Sequence, residues 1–251
     1  VSWLLIHDVC ISDSGSEARV FATSFVMKLV RTFTQVSILN KFERMVITQI
    51  GKLPVLSKHS AMVKLILREC GLLEELPHLT LQRLQMLDLS GSINFKTFKD
   101  DSFDKLQKPK TLNLSETQVA NLPTLSKCRE LRHLILRKCL KLEELPHLNT
   151  LEKLELLDLS SAISFKLFKD ESFGKKEELH ELNLSETQVV QIPSLSECYN
   201  LRKLILTGCL KLKILPNLDA LSRLIVLDLS GAISLIEFHH QSTGLKLLTS
   251  T

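Results

Sequence analysis

Leu131–Leu148 reads LRHLILRKCLKLEELPHL. Its apolar residues fall as Leu131-x-x-Leu134-x-Leu136-x-x-Cys139-x-x-Leu142, followed by Leu145-Pro146. The same frame occurs at Met62–Leu79 (MVKLILRECGLLEELPHL) and at Leu201–Leu218 (LRKLILTGCLKLKILPNL). Cys70, Cys139 and Cys209 mark one slot, spaced by 69 and then 70 residues. Two shorter relatives lie between the copies. One carries Leu-Asp-Leu-Ser, at Leu87–Ser90, Leu157–Ser160 and Leu227–Ser230. The other carries Leu-Asn-Leu-Ser-Glu-Thr-Gln-Val, at Leu112–Val119 and Leu182–Val189. Counted from the first leucine of each Leu-x-Leu, the units begin at 65, 87, 112, 134, 157, 182, 204 and 227. The differences are 22, 25, 22, 23, 25, 22 and 23 residues.

Such a period, with Cys in the slot that takes Asn or Cys, is the leucine-rich-repeat pattern. It predicts an α/β solenoid: a horseshoe with short parallel strands on the concave face and irregular loops or short helices on the convex face. Three unlike units build a super-repeat of about 70 residues. About nine strands at ~4.8 Å spacing make an inner arc of roughly 40 Å. Six of the seven prolines share one slot: Pro54, Pro77, Pro123, Pro146, Pro193 and Pro216. Proline has no backbone N–H, so each one ends the local segment and turns the chain outward. Pro109 stands where the next super-repeat has Leu179, and a local distortion is expected there. The 25-residue units hold FKTFKDDSF (Phe95–Phe103) and FKLFKDESF (Phe165–Phe173). Their phenylalanines are expected to fill the wide outer part of the core, and their charged residues to form a solvated loop.

Length and composition narrow the function. The 251 residues suffice for one elongated domain. A net charge of +4, with lysines not gathered in one run, gives no case for nucleic acid. One Trp and one Tyr provide no stacking platform for bases. Five of the six cysteines recur with the repeat: Cys70, Cys139 and Cys209 after the strand, Cys128 and Cys198 in the returning segment. They read as small buried side chains. No CxxC pair suggests zinc, and reduced thiols fit a cytosolic protein. No signal peptide or long apolar run is visible. The chain begins at Val1 rather than Met and reads as a region of something longer.

The ends are less regular. Residues 1–44 are read as an irregular segment. In it, Trp3–Cys10 (WLLIHDVC) echoes the repeat strand as a degenerate copy. Ser14-Gly15-Ser16-Glu17 forms a capping box before Phe21, Phe25, Leu29 and Phe33, which predicts an amphipathic helix over about 17–32 covering the open end of the solenoid. Residues 45–238 are the solenoid, opened by Met45–Leu56, a divergent unit two residues short. Residues 239–251 read as a polar tail.

In Leu-x-Leu the leucines point into the core and the middle residue points to the concave face. That column reads Ile66, Asp88, Asn113, Ile135, Asp158, Asn183, Ile205 and Asp228. Lys64, Arg68, Glu69, His133, Arg137, Lys138, Glu181 and Lys203 flank it. Concave faces are the usual binding surfaces of solenoids. The protein-binding candidates are therefore Lys64, Ile66, Arg68, Asp88, His133, Ile135, Arg137, Lys138, Asp158, Glu181, Lys203, Ile205 and Asp228. Cross-strand pairing with Asn113 and Asn183 offers a purely structural reason for Asp88 and Asp158. There is no P-loop, HExxH or GxSxG. Acids one repeat apart make no catalytic pair, so no enzyme, cofactor or metal is expected. His78 and His147 share a slot with Asn217, which points to a surface loop rather than a metal ligand. Asn113-Leu-Ser115 and Asn183-Leu-Ser185 match the glycosylation acceptor, but a glycan there would block the concave face.

LRECGLLEELPHL, LDLSG, the Ser-Phe of DDSF and DESF, LNLSETQV and LRKLILTGCLKLKILPNL resemble the repeats of plant intracellular nucleotide-binding leucine-rich-repeat immune receptors. The resemblance spans about residues 45–238. The Gly-x-Ile-Pro turn of plant surface receptors is missing. The resemblance implies protein recognition without catalysis. The implied partners are a pathogen effector, a host protein, or the receptor's own nucleotide-binding domain, which the repeat would hold inactive. It also implies a cytoplasmic or nuclear location, without membrane insertion. A substrate-recognition subunit of a ubiquitin ligase and a free-standing scaffold are the alternative classes.

Overall fold

The computed structural model describes residues 3–6, 44–47, 50–53, 56, 61–99, 103, 106, 108–171, 173–236 and 246–248. In chain order the strands are β1 (Trp3–Ile6), β2 (Arg44–Ile47), β3 (Lys64–Ile66), β4 (Glu75–Leu76), β5 (Met86–Asp88), β6 (Thr97–Phe98), β7 (Thr111–Asn113) and β8 (His133–Ile135). They continue with β9 (Glu144–Leu145), β10 (Leu156–Asp158), β11 (Leu167–Phe168), β12 (Glu181–Asn183), β13 (Lys203–Ile205), β14 (Val226–Asp228) and β15 (Lys246–Leu248). Eleven of them form one parallel sheet in the order β1-β2-β3-β5-β7-β8-β10-β12-β13-β14-β15. The leucines that start each unit lie opposite one another: Leu65, Leu87, Leu112, Leu134, Leu157, Leu182, Leu204 and Leu227. The chain is a leucine-rich-repeat solenoid.

The sheet is longer than the span 45–238 read from the repeats. Leu4 of β1 lies opposite Met45, and Met45 opposite Leu65, so the echo at the N-terminus is a strand over Trp3–Ile6. At the other end Leu247 of β15 lies opposite Leu227, inside the segment read as a polar tail. The helix expected over 17–32 lies outside the described residues. On the convex side the described residues hold no helix. The chain returns through turns, and two small parallel pairs, β4 with β6 and β9 with β11, align successive units. The prolines at 77, 123, 146, 193 and 216 sit in these returns, where helix hydrogen bonding would need the N–H they lack.

The core is a continuous ladder of leucines, each shielded from water by its own unit and the next. In the 25-residue units Phe95, Phe98 and Phe103 stack edge-to-face at 5.0 Å, and Phe165, Phe168 and Phe173 repeat this at 4.9 and 5.1 Å. The extra residues of these units thus lodge three rings in the wide part of the core. Cys70, Cys128, Cys139, Cys198 and Cys209 are buried and unbridged. The strand-exit slot suits cysteine because its thiol donates to a carbonyl of the unit before, which it shares with a threonine hydroxyl of that unit. Cys139 Sγ lies 3.1 Å from Leu114 O, and Cys209 Sγ 3.0 Å from Leu184 O. Burial pushes the Cys139 thiol up to about 11, so it stays a donor at neutral pH. The distortion expected at Pro109 is absent from the residues that follow it. Lys110 and Thr111 bond to Gln85 O as His180 and Glu181 bond to Glu155 O. Pro109 forgoes only the N–H that Leu179 donates to Lys176.

Four residues after each starting leucine the backbone turns left-handed. The column is Glu69, Gly91, Glu116, Lys138, Ser161, Glu186, Gly208 and Gly231, with φ between +52° and +74°. From Glu69 to Gly208 each N–H reaches the carbonyl of the next unit, for example Glu116 to Arg137 and Lys138 to Ser160. The turn leads the chain off the sheet without breaking the ladder. Five of the eight positions are not glycine, and each of these bears roughly 1 kcal/mol of conformational cost.

Candidate protein-binding face

The concave face carries the column of middle residues, and the structure divides that column into two kinds. Asp88 and Asp158 are buried rather than presented, with 2% and 0% of their surface exposed. Each is held from two sides. Asp88 Oδ1 accepts from the Ser90 N–H at 3.0 Å and the Ser90 hydroxyl at 2.7 Å. Its Oδ2 accepts from Arg68 Nε and Nη2, both at 2.7 Å. Asp158 repeats this with Ser160 N–H at 2.9 Å and Arg137 Nε at 2.5 Å. Asp88 and Asp158 are thus buried supports of the two arginines rather than the exposed side chains their place in the column predicts. Their partners are an arginine on the preceding unit and a serine of the same turn, instead of Asn113 or Asn183. The two asparagines use the same local device: Asn113 Oδ1 accepts from Ser115, and Asn183 Oδ1 from Ser185.

The third unit of this kind departs. Where Arg68 and Arg137 stand, the sequence has Thr207. Asp228 is half-buried, and burial acts to raise its carboxyl. Hydrogen bonds from Ser230 and the Thr207 hydroxyl outweigh this and hold it below the usual range.

What the face presents is the remainder. Arg68, Arg137, Lys138 and Lys203 are exposed, while Lys64, His133 and Glu181 are partly exposed. Ile66, Ile135 and Ile205 are half-buried, one per super-repeat. Ile135 lies opposite Asn113 and Asp158, and Ile205 opposite Asn183 and Asp228, whereas Ile66 lies between Val46 and Asp88. The buried aspartates fix Arg68 and Arg137 by their Nε edges, so both guanidinium groups stand preorganised with about half their surface open. Lys203 pairs with Glu181 across the sheet at 3.2 Å.

The structure brings together one cluster that the sequence reading did not assemble. His133 Nε2 lies 3.2 Å from Glu155 Oε2, and its Nδ1 lies 3.3 Å from the Thr111 hydroxyl. Arg132 pairs with the same Glu155. Beside it, Lys138 reaches Glu116 at 3.0 Å along the left-handed column. Arg132, Glu155 and Glu116 sit just outside the Leu-x-Leu frame. Their positions recur in every unit, and that recurrence was the available signal. Surface pairs of this kind are worth ~0–1 kcal/mol each and can exchange for a partner's charges at little cost.

Among the described residues no group of three His, Cys, Asp or Glu could hold a metal ion. None of their helices is long and apolar enough to cross a membrane.

No family model matches the chain. Curated relatives do. The chain is 42% identical over 175 residues, or 68% of its length, to At4g19050, an Arabidopsis thaliana protein of the disease resistance class. It is 34% identical over 213 residues, 74% of its length, to the Arabidopsis protein SUPPRESSOR OF npr1-1, CONSTITUTIVE 1. It is 31% identical over 166 residues to the Arabidopsis disease resistance protein RPP4. The chain spans 13 to 14% of the length of these relatives. Among solved structures, the functional domain of InlJ from Listeria monocytogenes aligns with 78% of this chain and 50% of its own, at 18% identity and a TM-score of 0.43. The chain is thus homologous to Arabidopsis disease resistance proteins, and it fits the leucine-rich-repeat region of a nucleotide-binding resistance protein.

Proposed function

We propose that this chain is the recognition module of a plant immune receptor, non-catalytic, cytoplasmic or nuclear, and working through its concave face. The observation that supports the reading is that face itself: two arginines fixed by buried aspartates, with Lys138, His133 and half-buried Ile135 beside the second of them, and no described helix over the sheet. The partner is a protein, either a pathogen effector, a host protein or the receptor's own nucleotide-binding region. In the resting receptor the face contacts the nucleotide-binding region and disfavours its open state. A ligand activates by binding the open state better than the closed one. The gene around this segment tests the assignment to a receptor. Sequencing the transcript on both sides should find a P-loop and helical domains upstream. A start codon or signal peptide immediately before the segment would contradict it, and an F-box-like helical segment would move the protein to the ubiquitin-ligase class.

A further inference from the structure

One difference between the two 25-residue units puts a lysine in a core position. Phe103-x-x-Leu106 in the first becomes Phe173-x-x-Lys176 in the second. Leu106 is buried, as its slot requires. Lys176 is fully buried too, with 0% of its surface exposed, and its side-chain nitrogen has no hydrogen-bond partner. An ammonium with three unsatisfied donors is not sustained in such a site; it sheds its proton or leaves. The groups whose charge acts on it are the Cys198 thiol and Glu197 from the next unit, Asp170 from the preceding loop, and Glu152 at the start of its own unit's strand approach. Burial pushes Cys198 up to about 12, so below that pH it is neutral and the three carboxylates alone attract the lysine. Those carboxylates lie outside the core, Glu152 and Glu197 exposed and Asp170 partly so.

We infer that Lys176 makes segment 173–179 a proton-operated latch: closed with a neutral amine in the core, open when the amine is protonated and moves out to Glu152, Asp170 and Glu197. The closed segment is held by Phe173 N–H to Ser194 O at 3.1 Å, Lys176 N–H to Glu197 O at 3.3 Å and the Asn200 side-chain amide to Glu177 O at 2.6 Å. Opening releases the two backbone bonds and loosens one unit from the next. Burial lowers the amine's pKa from its usual 10.5, the carboxylates pulling partly back. The sign follows from linkage. Between the closed-state pKa and 10.5 the open state binds more protons, so closure strengthens as pH rises and weakens, up to tenfold per pH unit, as pH falls. Below the closed-state pKa the ratio levels off.

The test is amide hydrogen exchange across 173–179 in the full chain, corrected for intrinsic rates, for the parent and for Lys176→Met. The parent should show protection that falls by up to tenfold per pH unit below 10.5. Lys176→Met, apolar like Leu106, should be more protected and flat with pH. Carbon NMR of the lysine side chains gives a second readout that needs no variant: Lys176 should titrate below the surface lysines. Parallel pH dependence in the two proteins, or Lys176 titrating with the other lysines, would overturn the latch.

Discussion

Phe165→Ala should lower the stability of the chain by about 3–5 kcal/mol in denaturant unfolding, whereas Leu167→Ala should change it by less than about 0.5 kcal/mol. The two residues are neighbours in one motif, and both are apolar. Phe165 is fully buried and stacks on Phe168, which stacks in turn on Phe173. Leu167 alternates to the outside and is 51% exposed. Removing the Phe165 ring deletes buried area and one of the ring contacts, and the facing units relax only partly into the gap. In a repeat array the loss acts on the interfaces with the adjacent units as well as on the unit itself. Phe95→Ala should behave alike, because Phe95, Phe98 and Phe103 form the same stack one super-repeat earlier.

Asp158 yields the second large effect, and its size depends on what replaces it. Asp158→Ala should cost about 1–3 kcal/mol, the penalty for stranding a part-buried donor, here the Ser160 N–H, and leaving a gap where the carboxylate was buried. Asp158→Asn should cost under about 1 kcal/mol, since an amide oxygen can still accept that bond. The chain contains the precedent: Asn113 and Asn183 occupy the same column and accept from Ser115 and Ser185 at 3.1 Å. The salt bridge to Arg137 adds little, because the arginine is more than half exposed and water can replace its partner. Equal losses for the two variants would show that the ion pair, not the turn, holds the site.

The period, the leucine core, the phenylalanine stacks and the buried cysteines were legible because they depend on residues a few positions apart, repeated in three copies. Leu65 to Leu227 pair in the register their spacing set. Other features depend on contacts between units. Asp88 and Asp158 alternate outward and so read as exposed, yet the arginines that cover them lie 20 and 21 residues earlier in the chain. The left-handed column hides because only Gly91, Gly208 and Gly231 carry the residue such backbone favours, while Glu69, Glu116, Lys138, Ser161 and Glu186 do not. Lys176 was readable against Leu106, but a lysine within a charged stretch suggests solvent. The terminal strands lacked a full repeat: β1 stands 41 residues before β2 in register, and β15 follows a segment rich in polar residues.

Arg137 is a poor place to test the concave face, because reversing it also removes the partner of buried Asp158. Ile135 and Lys138 are better: neither is a buried ligand, and glutamate is already tolerated in the Lys138 column at 69, 116 and 186. The most direct measurement is the affinity of the chain for the receptor's nucleotide-binding region supplied as a separate polypeptide. It should be compared among the parent, an Ile135→Asp/Lys138→Glu double variant, and Lys166→Glu on the convex side. A central contact of this kind is worth about 2 kcal/mol, so the double variant should bind roughly thirtyfold more weakly, with its unfolding midpoint little changed and Lys166→Glu binding as the parent does. Parent-like affinity in the double variant, or no binding by the parent chain, would contradict recognition through the concave face.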